Sequence, residues 1–109
     1  MKTEVVLIYA TFPTMEVAET ISSSLVERRL AACVNILPAM TSIYVWEGKL
    51  SRDSEVAMLI KTRATLADTV ITEARKLHPY ANPAMVVLPV SGGSADFLTW
   101  IASETRQPL

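Results

Sequence analysis

Apolar residues run without a break from Val5 to Ala10, inside the segment Glu4–Thr11 (EVVLIYAT). A short continuous run of β-branched and aliphatic side chains predicts a buried strand. Phe12-Pro13-Thr14 ends it, and Thr14 is placed to cap a helix whose first turns carry Glu16 and Glu19, where the helix dipole favours carboxylates. Val17 or Ala18, Ile21 and Leu25 follow at helical spacing, with Ser22, Ser23 and Glu27 elsewhere on the circumference. Arg28 and Arg29 place cations at its carboxyl end.

From Ala32 to Trp46 the pattern is that of a strand, interrupted at Leu37-Pro38. Beyond the interruption Met40, Ser42, Tyr44 and Trp46 alternate with Thr41, Ile43 and Val45. Glu47-Gly48-Lys49 reads as a turn. A third strand is expected from about Ser54 to Thr62, with Glu55, Ala57, Leu59 and Lys61 on one face and Val56, Met58 and Ile60 on the other. Pro38 belongs at a bulge or an unpaired edge.

Thr65-Leu66-Ala67-Asp68 resembles a capping box that opens a second helix, and Leu66, Val70, Ala74 and Leu77 form its apolar stripe. Pro79 stops it. Tyr80 sits in a stiff link between Pro79 and Pro83, and Ala84–Val90 is a last buried strand whose Pro89 suggests an edge or a bend. Gly92-Gly93-Ser94 provides a loop and a cap before a short helix with Phe97, Leu98 and Ile101, and Gln107-Pro108-Leu109 is expected to fray.

The order β-α-β-β-α-β plus a terminal helix predicts an α+β, ferredoxin-like sandwich with an extra C-terminal helix and a long central β-hairpin. Residues 1–109 form a single domain in this reading. A second strand of about 45 Å, at ~3.3 Å per residue, overhangs the shorter first and last strands. Ile43, Tyr44, Val45 and Trp46 on that overhang would be a sticky edge in a monomer, so self-association is expected.

Composition supports the same picture. Half of the 109 residues are hydrophobic and 19% are charged, which excludes a disordered chain. The mean hydropathy of +0.31 is high for a small monomer. A net charge of −1 gives no reason to expect nucleic acid or an anionic membrane as partner. No run approaches the ~20 apolar residues of a membrane helix, and the Val5–Ala10 run is shorter than a secretion-signal core, so a cytoplasmic location is expected.

Enzyme signatures are missing: there is no G-x-S-x-G, phosphate loop, H-E-x-x-H or dinucleotide fingerprint. The chain is read as a non-enzyme. Cys33, the only cysteine, lies in an Ala-Ala-Cys-Val run and reads as a small buried hydrophobe. His78, the only histidine, sits at a surface-prone helix end with one ring nitrogen potentially free. It is either a helix-terminal partner of backbone carbonyls or a ligand for Cu(II), Zn(II) or Ni(II). Glu55 and Lys61 are either exposed face charges or, in the case of Lys61, part of an anion cleft. Trp46 and Glu47 at the hairpin tip suit a protein contact.

Leu30-Ala31-Ala32-Cys33-Val34-Asn35, Ser42-Ile43-Tyr44, Trp46-Glu47-Gly48-Lys49, Leu59-Ile60-Lys61-Thr62 and Leu77-His78-Pro79-Tyr80 with Pro83 form an ordered set. Together they resemble the CutA family of divalent-cation tolerance proteins. The resemblance implies a ferredoxin-like subunit in a cytoplasmic homotrimer, joined through the long hairpin and connected with copper tolerance. The hairpin residues Tyr44, Trp46 and Glu47 are expected at the interface, and Glu55, Lys61 and Tyr80 are expected as ligand contacts. Some members carry a cysteine where Ala10 stands and a second histidine where Leu77 stands, so His78 is the metal ligand it leaves here. Without the soft thiolate, the expected cofactor is weakly held Cu(II) or another divalent cation. The architecture is also similar to PII-like trimeric signalling proteins, which implies an alternative: a small anionic effector in a cleft between subunits, near Lys61 and His78.

Overall fold

The computed structural model describes residues 4–107; the expected fraying at Pro108-Leu109 lies outside them. Four strands, β1 (Val5–Phe12), β2 (Cys33–Trp46), β3 (Lys49–Arg63) and β4 (Met85–Pro89), form one sheet in the order β2-β3-β1-β4. Every pairing is antiparallel. Helix α1 (Met15–Glu27) and helix α2 (Ala67–Leu77) complete the βαββαβ frame, and α3 (Ala95–Glu104) is the extra terminal helix. This is the expected ferredoxin-like α+β fold.

One face of the sheet, with Val6, Ile8, Ala10, Phe12, Val56, Met58 and Ile60, packs on Ala18, Ile21 and Leu25 of α1 and on Val70 and Ala74 of α2. Fully burying a side chain the size of Ile8, Met58 or Ile60 contributes about 1.5–3 kcal/mol. Thr14 caps α1, its Oγ1 accepting from the Val17 N–H at 3.2 Å. Ser22, expected on the outer circumference, is instead buried, because it lies four residues after Ala18 and three before Leu25 on the core stripe. Its hydroxyl approaches the Met58 sulfur at 3.7 Å.

The opposite face carries the extra helix. α3 covers the end of it where Val5 and Ala32 lie, with Ile101 buried between them and Leu98 beside. Arg63 holds this helix, its guanidinium donating to Thr105 Oγ1 at 3.0 Å and to the Ala102 carbonyl. Arg29, at φ 58°, adds a bond of 2.8 Å to the Ser103 carbonyl.

β3 begins at Lys49, several residues before the expected Ser54. Arg52, Asp53 and Ser54 pair with Ile43, Ser42 and Thr41, so the hairpin ladder carries a polar stretch that has little strand preference of its own. Only Val56–Arg63 of β3 also pair with β1, and the hairpin beyond them overhangs the sheet. The register shifts between Leu37 and Met40, with Ala39 at φ 61°, which places Pro38 in a bulge on an edge strand. Pro89 likewise lies in the other edge strand.

The proposed capping box at Thr65 does not form. Residues Ala64–Leu66 make a turn of 3-10 helix, and Leu66 precedes α2 with no side-chain cap.

Candidate functional site

Where the hairpin leaves the sheet, its base meets the link from α2 to β4. Between them lies a cavity of about 610 Å³ lined by Tyr9, Thr11, Ser42, Tyr44, Trp46, Glu55, Pro79, Tyr80, Ala81, Asn82 and Ala84. Strand alternation supplies the walls: Ser42, Tyr44 and Trp46 point the same way along β2, and Tyr9 and Thr11 do so along β1. Pro79 restricts the link, and the Tyr80 hydroxyl reaches Glu55 Oε2 at 2.8 Å. Tyr44 donates to Asp53 across the hairpin, and Tyr9 points its hydroxyl at the Met40 sulfur at 3.7 Å.

The surroundings of Tyr80 and Tyr44 hold their hydroxyls in the protonated form. Burial, then the hydrogen bond to Glu55, raises the Tyr80 hydroxyl well above its ordinary value. The hydrogen bond to Asp53 also raises the Tyr44 hydroxyl. Both therefore remain proton donors to carboxylates across the physiological range. Neither Glu55 nor Lys61 is the exposed face charge that the alternation suggested; they are 9% and 8% exposed.

His78 follows α2 in extended conformation; it is partnered by a backbone carbonyl, one of the two readings open to it, but it is buried rather than at the surface. It is 8% exposed, stacked on Phe12 at 4.6 Å between ring centroids. Its Nε2 lies 2.7 Å from the Thr11 carbonyl and its Nδ1 accepts from the Tyr80 N–H at 3.1 Å. Those two bonds require the proton on Nε2 and leave no ring nitrogen free. The imidazole ties the link to β1 and so positions Tyr80.

Lys61 does not join this group. It pairs with Leu7 and Cys33, about 20 Å from Glu55 along β3 at ~3.3 Å per residue. Cys33 is half-buried rather than enclosed, since β2 is a sheet edge. Glu47 sits in the turn at φ 51° with Gly48 at φ 79°. Leu50, which the sequence reading passed over, is 76% exposed at the hairpin tip. Its signal was present in the polar context: one leucine in Gly48-Lys49-Leu50-Ser51-Arg52.

Residues 6–104 match the model of the CutA1 divalent ion tolerance protein family. This chain belongs to that family. It is 46% identical to the divalent-cation tolerance protein CutA of Pectobacterium atrosepticum, over 94% of each chain. The chloroplastic protein CutA of Arabidopsis thaliana is 40% identical over 93% of this chain, which spans 56% of that protein's length. The solved CutA1 of Thermus thermophilus superposes with a TM-score of 0.91 at 41% identity, covering 94% of this chain and 99% of that one.

The family name directs attention to divalent cations, and the residues can be tested for them. Among the described residues no three His, Cys, Asp or Glu side chains are grouped to hold a metal ion. His78 has both nitrogens engaged. As they stand, the donors of one chain do not fit a tight metal site.

Proposed function

We propose that the chain acts as a homotrimeric, non-catalytic divalent-cation tolerance protein of the cytoplasm, which holds Cu(II) or another divalent cation weakly. The observation that carries the assembly is the overhanging hairpin, where Ile43, Val45 and Leu50 are 66%, 67% and 76% exposed. A monomer that exposes adjacent apolar residues beside a strand edge invites pairing with another copy. Tyr44, Trp46 and Glu47 flank that strip and are assigned to the edge of the contact. The number three follows the family resemblance.

His78 is the one imidazole available to a metal. Its Nδ1 would have to exchange the Tyr80 N–H for the cation, which argues for weak binding. The rival reading, an anionic effector, is not adopted. Glu55 faces the cavity and its lining includes no lysine or arginine.

Light scattering on tag-free protein tests the assembly. Three times the 12.0 kDa chain mass is expected, and a monomer at micromolar concentration overturns the reading. Copper is tested by calorimetry and electron paramagnetic resonance on wild type and His78→Ala. Weak binding with nitrogen coupling that disappears in the variant is expected; identical spectra remove His78 as a ligand.

A further inference from the structure

We propose that the cavity at the base of the hairpin is a binding site for a small organic cation, an ammonium compound whose charge meets Glu55 and whose carbon substituents meet Tyr9, Tyr44, Trp46 and Tyr80. Glu55 carries the argument. It is nine-tenths buried, and a buried carboxylate ordinarily requires a cation or several hydrogen bonds. Among the described residues it has neither: Tyr80 alone donates to it, through Oε2, and the ion pairs of the chain are both made by Glu73. No enclosed side-chain oxygen or nitrogen lacks a partner among the described residues. The second oxygen, Oε1, is therefore not sealed in protein, and Glu55 is one of the residues that line the cavity.

The walls decide which cation fits. Tyr9, Tyr44, Trp46 and Tyr80 all line the space, and aromatic faces attract cations that shed part of their water. A hard metal ion needs several oxygen or nitrogen donors at short range, and no such group is present among the described residues. An anion would meet Glu55 with no basic side chain in the lining. A neutral apolar molecule would leave the carboxylate buried without a counter-charge. An ammonium compound satisfies both the charge and the rings, and the volume of about 610 Å³ lies in the range of small-ligand sites. This inference is independent of the metal reading, since it uses neither His78 nor copper.

The test titrates choline and n-butylammonium into the full chain in phosphate buffer, followed by calorimetry. Each is compared with its uncharged isostere, in which carbon replaces the cationic nitrogen. Saturable binding of at least one cation is expected, at least tenfold tighter than its isostere. Glu55→Gln, which keeps an acceptor for Tyr80, should weaken that binding tenfold or more, and Trp46→Leu should weaken it as well. Failure of both cations to saturate at millimolar concentration overturns the proposal. So does equal binding of cation and isostere, or wild-type affinity in Glu55→Gln.

Discussion

Glu55 and Glu73 are both carboxylates with hydrogen-bonded partners, yet their surroundings give them different roles. Glu55 is nine-tenths buried beside rings and takes its one bond from a phenol. Glu73 is half-buried on α2 and bonds Lys76 at 2.8 Å and Arg28 at 2.7 Å, tying α2 to the end of α1. The Lys76 hydrogen bond, then that from Arg28, lowers the Glu73 carboxyl from 4.5 to about 2. A carboxyl depressed in the folded state contributes stability above its unfolded value, and that contribution is lost as pH falls toward the folded value. The difference in urea midpoint between wild type and Glu73→Gln should thus be constant above about pH 5 and close to zero near pH 2. A difference that grows on acidification would show that the pair does not stabilise the fold. Solvent screening keeps the effect small at any pH.

At the scale of elements, the two threonines that the sequence placed at helix starts separate cleanly. Thr14 caps α1 by its side chain, whereas Thr65 lies inside a 3-10 turn and caps nothing. Thr14→Ala should cost about 1 kcal/mol of stability, and Thr65→Ala less than about 0.5 kcal/mol, both read from urea denaturation at one protein concentration. Comparable losses in the two variants would contradict the cap assignment.

The same contrast marks what the chain's pattern could reveal. Local signals were enough for β1, α1, the hairpin turn and Pro38: an unbroken apolar run, an apolar stripe at helical spacing, a glycine in the turn, and a proline that a central strand does not accept. They were not enough for Arg52–Ser54, where the backbone pairing of the partner strand overrides polar side chains. Nor could they place α3 over Val5 and Ala32, a contact that joins opposite ends of the chain. The candidate site shows the same division. Tyr80 and Glu55 stood out singly as ligand contacts, but their hydrogen bond depends on the path of the link around the sheet end. Lys61 was grouped with Glu55 by strand parity, which fixes the face and says nothing about distance along it.

For the whole molecule, the overhang sets the shape. The chain measures 44 × 25 × 23 Å with a radius of gyration of 14.5 Å, against about 13 Å for a compact domain of this length. The excess length lies in the hairpin, where Val45 and Leu50 face each other across the strands. Two apolar surfaces compete as the contact between copies: this tip, and the exposed sheet face with Leu37 at 49% and Leu88 at 42%. Leu88 stands on β4, paired with Leu7, on the opposite edge of the sheet from β2. A lysine at a buried contact must lose its water or break the contact, whereas one at an exposed position costs little. If the tip is the interface, Val45→Lys and Leu50→Lys should each drop the mass in light scattering toward a single chain, with an unchanged far-ultraviolet spectrum. Leu88→Lys should leave it at the assembled value. The reverse pattern would transfer the interface to the sheet face and leave the overhang free. Loss of assembly in all three variants would mean that copies wrap both surfaces at once. In that arrangement the cavity at the hairpin base would lie close to a neighbouring copy, and the affinity for an ammonium probe should fall together with the assembled mass.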